Sequence, residues 1–445
     1  MFLGLVATRL CHTGIVWVEE AYPAAAAIQL LDGKALYRDV WFDKPPLFPC
    51  LYLLWGGHIG VPLRIAGAIF VFLCCLTIWR FGRDLWGPRE GLAAALFTAF
   101  FLTFGIPSAV MALAPDLLMV LPHIAAVYLA WRGRAFLSGI TAGVAMLVNT
   151  KAAFLLAACA LFSWRSWPAL LAGFALPNLA ALAWFGRPYI DEVYRWGAMY
   201  SEQTFAFTTG ITRTLNWAGF HCALVAGAAF AFWKEKQWRF AAWLLLSVVA
   251  VAAGWRFFPR YYFQLLPVMA LLAARGYTLL GRRRAILLVL LLIPLVRFGP
   301  RYAMLANDLL HHREPEWSDL SMSQDSRAAA EKIGHDGTLL VWGYRPDIFA
   351  YTRLPAGTRF LDSQPLTGVL ADRHLTNSDV AAPEWAAQNR RELIATQPAW
   401  IVDGLGPFNP NLAITNYPDL RDWLANYVEV GRTEHTVIYK RRWPL

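Results

Sequence analysis

Two short groups of charged residues interrupt the apolar N-terminal hundred residues of this 445-residue chain. The first is Glu19-Glu20, with Tyr22 close behind, and the second is Asp43-Lys44, which precedes two prolines. Carboxylates can accept protons and lysines can neutralise anions, and charged groups beside a bilayer are unfavourable unless they are paired or functional. These residues are therefore the first candidates for chemistry. The structural alternative is that the glutamates stabilise a helix N-terminus and that Asp43 and Lys44 form a surface ion pair before a turn.

The composition predicts a polytopic α-helical membrane protein. Hydrophobic residues make up 58% of the chain and charged residues only 16%, which is unlike a soluble protein. Apolar stretches recur through the first 300 residues, and their lengths approach the roughly 17 to 25 residues needed to cross a bilayer. We expect about eleven spans, at 1–17, 62–80, 90–106, 114–131, 135–150, 152–164, 166–186, 217–233, 239–256, 261–280 and 284–299. The first should be a retained helix, because it has neither a charged n-region nor a convincing cleavage site.

The net charge of +10 lies mainly in alternate short loops, which argues against a nucleic-acid partner. Basic loops stay on the cytoplasmic side, so an odd number of spans places the N-terminus inside and the chain after about residue 300 outside. We therefore expect a multi-pass protein of the cytoplasmic membrane. The outward side then collects the unusual polar residues of the membrane module: Glu19, Glu20, Asp43, Lys44, Asp116, Lys151 and Arg260.

A change of composition after residue 300 divides the chain into a membrane module, 1–300, and a second domain, 301–445. Short strand-like runs appear in the second part at 338–342, 400–403, 427–430 and 436–439, and helical segments at 381–395 and 417–426. This pattern predicts a small extracytoplasmic α/β domain, which we expect to be accessory because no glycine-rich phosphate loop follows a strand. Long outward connections are expected at about 18–61 and 186–216, and such connections often cover a site. The six cysteines fit neither a disulfide framework nor a zinc site.

Three further motifs bring polar residues to the outward side. Asp116 opens a predicted span, Lys151 interrupts an apolar run, and Arg260-Tyr261 precedes another apolar run. Each has a structural alternative: Asp116 as an acid in a first helical turn, Lys151 as a side chain that snorkels to the interface, and Arg260 as an interfacial anchor. Arg256 is a nearby rival for any role of Arg260.

The order of these motifs resembles that of GT-C membrane glycosyltransferases, in particular the group of protein O-mannosyltransferases and lipid A aminoarabinose transferases. The resemblance covers roughly residues 1–300. The residues that match the family's motifs are Glu19-Glu20, Tyr22, Phe42-Asp43-Lys44-Pro45-Pro46-Leu47, Ala114-Pro115-Asp116-Leu117-Leu118, Thr150-Lys151, and Arg260-Tyr261 through Pro267. One position departs, because residue 19 is Glu where the family usually has Asp. The carboxylate is thereby displaced by about one methylene, and errors near 1 Å can strongly reduce a rate.

The resemblance implies transfer of a sugar from a polyprenyl-phosphate-linked donor to an acceptor hydroxyl, with inversion, on the outer face of the cytoplasmic membrane. Its partners would be the lipid donor, membrane lipids, and an acceptor glycan, lipid or protein. The transition state resembles an oxocarbenium ion, so the reaction needs a base for the acceptor and positive charge beside the departing phosphate.

The roles of individual residues follow from this resemblance. Glu19 would be the general base, with Glu20 sharing the role if the longer side chain requires it, and Asp116 a second carboxylate. The phosphate would be bound by Lys44, Lys151 and Arg260, and the substrates by Tyr22, Asp43 and Tyr261. No cofactor is required, although a divalent metal ion between Glu19 and Asp116 is compatible with these residue types.

Two other functions remain open at this stage. A non-catalytic transporter or flippase of lipid-linked sugars also needs charges in a membrane cavity, but it should have internal hydropathy repeats, which this sequence lacks. A degenerate family member that serves as an accessory subunit is the second alternative, because the usual Asp is replaced.

Overall fold

The computed structural model describes residues 1–202, 207–311 and 317–442, without the side chains of residues 200–202. Residues 203–206 of the predicted connection at 186–216, and the side chains of Tyr200 and Glu202, therefore lie outside what the structure describes. The α-helices are α1 (Phe2–Leu10), α2 (Val18–Leu31), α3 (Leu47–Tyr52), α4 (Val61–Trp86), α5 (Pro88–Phe101), α6 (Pro107–Val110), α7 (Pro115–Leu118), α8 (Val120–Trp131), α9 (Ala135–Met146), α10 (Ala152–Ser163), α11 (Trp167–Tyr189), α12 (Trp196–Glu202), α13 (Phe207–Phe220), α14 (Cys222–Glu235), α15 (Trp238–Ala252), α16 (Leu266–Leu279), α17 (Ala285–Leu290), α18 (Leu292–Leu310), α19 (Ser318–Lys332), α20 (Asp347–Thr352), α21 (Gln364–Thr367), α22 (Pro383–Ile394) and α23 (Arg421–Leu424). Shorter helical turns lie at Leu53–Trp55, Trp164–Ser166, Ile190–Arg195, Pro259–Gln264, Gly281–Arg284, Pro410–Leu412, Ile414–Asn416 and Pro418–Leu420.

Fewer helices are long enough to cross a membrane than the sequence predicts. Among the described residues, two helical runs are long and apolar enough alone: α4, with 26 residues, and the 48-residue run Ala152–Met199. Two bent pairs raise the number to four: α13 with α14, bent by 85°, and Gly281–Leu290 with Leu292–Leu310, bent by 41°. The predicted count of eleven is not confirmed, because apolar composition does not locate helix breaks. The predicted span 1–17, for example, contains only the nine-residue α1.

The predicted outward connection at 18–61 contains helices that position the first charged group. At the start of α2, the Glu20 side chain accepts the backbone N–H of Trp17 at 3.2 Å, which is one half of a capping box. Glu19 and Glu20 lie in the first turn, where carboxylates interact favourably with the helix dipole. Residues 24–27 are four fully buried alanines, which allow neighbouring segments to pack closely on α2. This fixed helix start determines where Glu19 lies.

The C-terminal region contains a mixed four-stranded sheet. Its strands are β1 (Leu339–Trp342), β2 (Trp400–Asp403), β3 (Tyr427–Arg432) and β4 (Val437–Arg441), in the order β1-β2-β4-β3. β1 and β2 are parallel, with Leu339 opposite Trp400, and β4 is antiparallel to both β2 and β3. The four predicted strand segments are confirmed to within two residues at each end. The predicted helix at 381–395 corresponds to α22, whereas 417–426 forms only a 3-10 turn and the short α23.

The C-terminal region packs tightly on the connection at 18–61. The backbone N–H of Trp41 donates to the carbonyl of Arg359 at 2.8 Å. The side chain of Gln29 donates to the carbonyl of Leu354 at 3.2 Å and accepts the N–H of Ala356 at 2.6 Å. One hydrophobic core continues from α2 into β1 and β2. Because these parts share a core, the C-terminal region is held above the charged residues at the start of α2.

Candidate active site

One cavity of about 480 Å³ brings most of the predicted site residues together. Its wall is formed by the start of α2, the segment before α3, the start of α7, the turn before α10 and the 3-10 helix Pro259–Gln264. Eight of the nine predicted residues line it: Glu19, Tyr22, Asp43, Lys44, Asp116, Lys151, Arg260 and Tyr261. Segments far apart in sequence therefore place acids and cations around one space.

Arg260 lies between the two carboxylates predicted to be catalytic. Its Nη1 donates to Oε1 of Glu19, and its Nε is 3.6 Å from Oδ2 of Asp116. Oδ1 of Asp116 accepts hydrogen bonds from Lys151 Nζ at 3.3 Å and from Asn149 Nδ2 at 3.1 Å. The Asp116 side chain is only 4% exposed and that of Glu19 26%. Limited exposure reduces screening by water, so these charges hold one another in place.

Lys151 is turned into the cavity. Its ammonium lies over the ring of Tyr261, 2.8 Å from the ring centroid, and its side chain is 13% exposed. Burial lowers the pKa of Lys151 to about 8, and the nearby Asp116 carboxylate opposes that shift. The snorkelling alternative therefore does not describe this side chain.

The Asp43-Lys44 pair lies in the cavity wall rather than on the outer surface. Lys44 Nζ donates to Oδ2 of Asp43 at 2.7 Å, and the two side chains are 39% and 7% exposed, respectively. Oδ1 of Asp43 is buried and has no hydrogen-bond partner among the described residues. The hydroxyl of Tyr37 donates to the carbonyl of Lys44 at 2.7 Å and fixes the backbone there. The pair is thus held in place, with one carboxylate oxygen left unsatisfied.

Tyr22 packs against the backbone segment that carries Asp43. Its ring stacks on Phe42 with centroids 4.5 Å apart, and its hydroxyl donates to the carbonyl of Trp41 at 3.3 Å. The residue is only 2% exposed although it lines the cavity. Its ring face and hydroxyl are therefore already used to hold the backbone that carries Asp43.

Glu20 does not line the cavity, so its position gives no support to the prediction that it shares the role of the base. Its carboxylate is fully buried and paired with Arg64, whose Nη1 donates to Oε2 at 3.0 Å and whose Nη2 donates to Oε1. Arg64 also donates to the carbonyls of His12 at 3.1 Å, Ile15 at 2.7 Å and Met111 at 3.3 Å. The pair joins three segments beneath Glu19, so its contribution is structural.

The turn before Arg260 separates the directions of the two neighbouring arginines, Arg256 and Arg260. Trp255 and Phe257 have positive φ angles of 54° and 48°, which non-glycine residues rarely adopt. Arg256 is buried and forms an ion pair with Asp372. The turn therefore directs Arg260 towards Glu19 and Arg256 towards the C-terminal region.

Four polar lining residues lie outside the predicted motifs: Asn149, Tyr344, Gln364 and Asp372. Asn149 directly precedes the Thr-Lys motif, so a polar residue inside an apolar run was the available signal. The other three belong to the C-terminal region and carry no local signal for this site. The C-terminal region therefore supplies part of the cavity wall, beyond the accessory role expected for it.

A buried acid of the C-terminal region lies behind this wall. Asp362 is 1% exposed, and its Oδ1 accepts the backbone N–H of Gln364 at 2.7 Å. Burial raises the pKa of Asp362 to about 8, and the charge of Asp43 adds to the shift. At neutral pH Asp362 is mostly protonated, so it contributes little negative charge beside Asp43.

The arrangement does not fit a metal ion between Glu19 and Asp116. The guanidinium of Arg260 already faces both carboxylates. Nowhere in 1–202, 207–311 or 317–442 do three or more His, Cys, Asp or Glu side chains come together in a metal-binding group.

Comparison with known proteins connects this geometry to a family. The sequence model described as dolichyl-phosphate-mannose-protein mannosyltransferase matches residues 43–185. This stretch includes Asp43, Lys44, Asp116 and Lys151 and excludes Glu19 and Arg260. No curated protein matches the sequence significantly.

Solved structures match nearly the full length of the chain. ArnT from Cupriavidus metallidurans bound to undecaprenyl phosphate aligns with a TM-score of 0.60 at 14% identity, over 98% of this chain and 97% of that one. The apo structure of that protein aligns with a TM-score of 0.55 at 15% identity, covering 98% and 96%. The archaeal oligosaccharyltransferase AglB from Archaeoglobus fulgidus, in complex with an inhibitory peptide and a dolichol-phosphate, aligns with a TM-score of 0.52 at 12% identity, covering 92% and 70%.

The chain therefore has the fold of the GT-C membrane glycosyltransferases. Within that class, its resemblance to the dolichyl-phosphate-mannose-protein mannosyltransferase family, predicted from the motifs, is confirmed by the match over residues 43–185.

Proposed function

We propose that this protein transfers a sugar from a polyprenyl-phosphate-linked donor to an acceptor hydroxyl on the outer face of the cytoplasmic membrane. The observation that carries the proposal is the convergence of Glu19 and Asp116 with Lys44, Lys151 and Arg260 around one cavity. A carboxylate base beside a cluster of cations suits the displacement of a phosphate from a sugar. The fold supports the choice of donor, because a relative with this fold was solved with undecaprenyl phosphate bound.

In this mechanism the acceptor oxygen attacks the anomeric carbon on the face opposite the phosphate. The bond between that carbon and the phosphate oxygen breaks, and its electron pair leaves with the polyprenyl phosphate. Glu19 takes the acceptor proton, so the product is a glycoside of inverted configuration. Asp116 orients Glu19 or the acceptor through Arg260, which faces both carboxylates.

The three cations stabilise the charge that the phosphate retains as the sugar leaves. Each is already paired with a carboxylate: Lys44 with Asp43, Lys151 with Asp116, and Arg260 with Glu19. A donor phosphate therefore competes with Glu19 for Arg260. When the phosphate displaces Glu19 from Arg260, the Glu19 carboxylate becomes free to accept a proton. Donor binding is thereby coupled to formation of the base.

The orientation in the membrane is part of this proposal. The basic residues of the loops on the opposite side favour a cytoplasmic location for those loops. The cavity and the C-terminal region, residues 301–445, would then lie outside, with the N-terminus inside. A lipid donor would reach the cavity from the bilayer and the acceptor from the outer aqueous side.

Lys44→Ala and Arg260→Ala should each weaken binding of undecaprenyl phosphate by about 10- to 100-fold and lower turnover as well. A hydrogen bond to a charged group contributes about 1.5–3 kcal/mol, and these residues contact the phosphate in both ground and transition states. Binding is measured by native mass spectrometry of the full-length protein in nanodiscs. Arg187→Ala is the control, because that side chain is 82% exposed and lies outside the cavity. Wild-type affinity in both variants would remove the phosphate site from the proposal.

The function itself is tested by mass spectrometry of lipid-linked sugars and surface glycans from cells with and without the gene. Loss of one sugar from one glycan, with accumulation of its lipid-linked donor, is the expected result. Restoration by the wild-type gene would identify both substrates. Identical glycans and lipids in the two strains would contradict transfer, and a donor retained on the inner leaflet would favour a flippase.

A further inference from the structure

A second cavity, of about 260 Å³, adjoins the first. Trp17, Val18, Tyr344 and Ala371 line both cavities, so the two spaces meet directly beside Glu19. Most of the remaining wall belongs to the C-terminal region. A group bound in the second cavity therefore lies next to the proposed base without occupying the phosphate site.

The second cavity lies at the carboxyl ends of two parallel strands. Tyr344 and Arg345 follow β1, and Gly404 follows β2, and all three line the cavity. In sheets with parallel strands, ligands commonly bind just beyond these strand ends, where the connecting segments diverge. The C-terminal region thus presents the edge of its sheet that is best suited to a ligand.

Arg345 is held rigidly but is not fully satisfied. It is 5% exposed, its Nη2 donates to Oδ2 of Asp325 at 3.1 Å, and its Nε donates to Oγ of Ser326 at 3.1 Å. Its Nη1 is buried and has no hydrogen-bond partner among the described residues. The same is true of Oδ1 of Asp319, another lining residue. Buried donors and acceptors without partners are rare and unfavourable, and a hydroxylated ligand would supply both partners.

The charges of this cavity do not favour a second phosphate. Its ionisable side chains are Asp319, Asp347, Arg345 and His374. Burial lowers the pKa of His374 to about 4, so the imidazole is neutral at pH 7. Arg345 is already balanced by Asp325. Without an excess of positive charge, a neutral ligand rich in hydroxyl groups is the better match.

Aromatic faces complete the match to a sugar. Trp17, Tyr344 and Phe408 line the cavity together with the two carboxylates. A pyranose ring has apolar C–H faces that pack on aromatic rings and hydroxyl groups at its edge that bind carboxylates and guanidinium groups. The volume holds one such ring.

We propose that the second cavity binds the terminal sugar of a saccharide acceptor, whose reactive hydroxyl extends past Trp17 to Glu19. This inference rests on the proposed function and names its acceptor class. The donor phosphate would be bound on one side of Glu19 and the acceptor sugar on the other, which is the arrangement that displacement from the opposite face requires.

The test measures binding of three kinds of probe to the full-length protein in nanodiscs. The saccharide probes are methyl β-D-glucoside, N-acetylglucosamine and a glucosamine disaccharide, followed by saturation-transfer NMR, and a threonine-containing pentapeptide represents a protein acceptor. The lipid probe is undecaprenyl phosphate, followed by native mass spectrometry. Phe408→Ala and Asp347→Asn should lower saccharide affinity about 10-fold or more and leave undecaprenyl phosphate binding unchanged. Asp336→Asn is the matched control, because Asp336 is exposed and lies outside the cavity.

The outcomes separate this inference from the proposed function. Absence of saccharide binding to the wild type, unchanged saccharide binding in Phe408→Ala and Asp347→Asn, or binding of the peptide instead would each overturn the inference. Lys44→Ala should have the opposite profile, with weaker undecaprenyl phosphate binding and normal saccharide binding. If Lys44→Ala leaves undecaprenyl phosphate binding unchanged while the saccharide results hold, the phosphate site fails and the second cavity stands.

Discussion

Glu19→Gln should lower the rate of sugar transfer about 10²- to 10⁴-fold, while undecaprenyl phosphate binds as tightly as before or more tightly. The amide keeps the shape of the side chain but cannot accept a proton, and general base catalysis contributes about that factor. The variant also loses the charge that pairs with Arg260 in the substrate-free protein. Because the phosphate then has no competitor for Arg260, its affinity should not decrease. Transfer of radiolabelled sugar to isolated acceptor and native mass spectrometry provide the two measurements.

The matched control is Asp32→Asn at the other end of α2, where the carboxylate is exposed and outside the cavity. It should transfer sugar at the wild-type rate. Transfer by Glu19→Gln within about threefold of wild type would contradict the role of Glu19 as base and favour Asp116 or an accessory, non-catalytic role for the chain. Loss of undecaprenyl phosphate binding in Glu19→Gln would indicate instead that the carboxylate organises the phosphate site.

Arg64→Met should destabilise the protein by about 3–5 kcal/mol, the effect expected when one member of a buried ion pair is removed. The carboxylate of Glu20 would then be buried without its counter-charge, and the carbonyls of Ile15 and Met111 would lose their donor. The free energy of unfolding is compared by denaturant titration in detergent. Transfer should also decrease, because the start of α2 carries both Glu20 and Glu19.

The double variant Glu20→Leu/Arg64→Met distinguishes charge from packing. Replacing both partners by apolar residues removes the unpaired charge, so it should recover a large part of the lost stability. Arg38→Met is the control, because Arg38 is 75% exposed in its pair with Asp39 and such pairs contribute little. Equal stability of Arg64→Met and the wild type would mean that α2 does not depend on this pair.

The sequence predicted the charged side of the cavity well, because charged residues stand out against an apolar background. Asp116, Lys151 and Arg260 each follow or interrupt an apolar run, and all three line the cavity. The strands were equally clear, since short buried β-branched runs between polar segments have few alternatives. The GT-C fold followed from the order of the motifs rather than from any one of them.

Other features depend on contacts that only the folded chain reveals. Glu19 and Glu20 are adjacent and identical in type, yet helix geometry directs one into the cavity and the other onto Arg64. The count of eleven predicted spans is not confirmed, because apolar residues also fill short, bent helices inside the protein. Tyr344 and Asp372 resemble ordinary loop residues, and nothing in their local sequence indicates that their region packs over α2.

Gly343 and Gly404 approach each other closely at the ends of β1 and β2, and this contact limits which substitutions the backbone there can accept. Gly343 has a φ of 117°, and a side chain there would lie 3.0 Å from the carbonyl carbon of Gly404, so the backbone at the ends of β1 and β2 is nearly invariant in shape. The next two residues, Tyr344 and Arg345, line the second cavity, and of these two only Tyr344 also lines the first. Substitutions at Arg345, which lines only the second cavity, can therefore alter which molecule enters it and leave the side chains of the proposed phosphate site in place. Proteins with this fold could in this way keep the first cavity unchanged while the second cavity varies to bind different ligands.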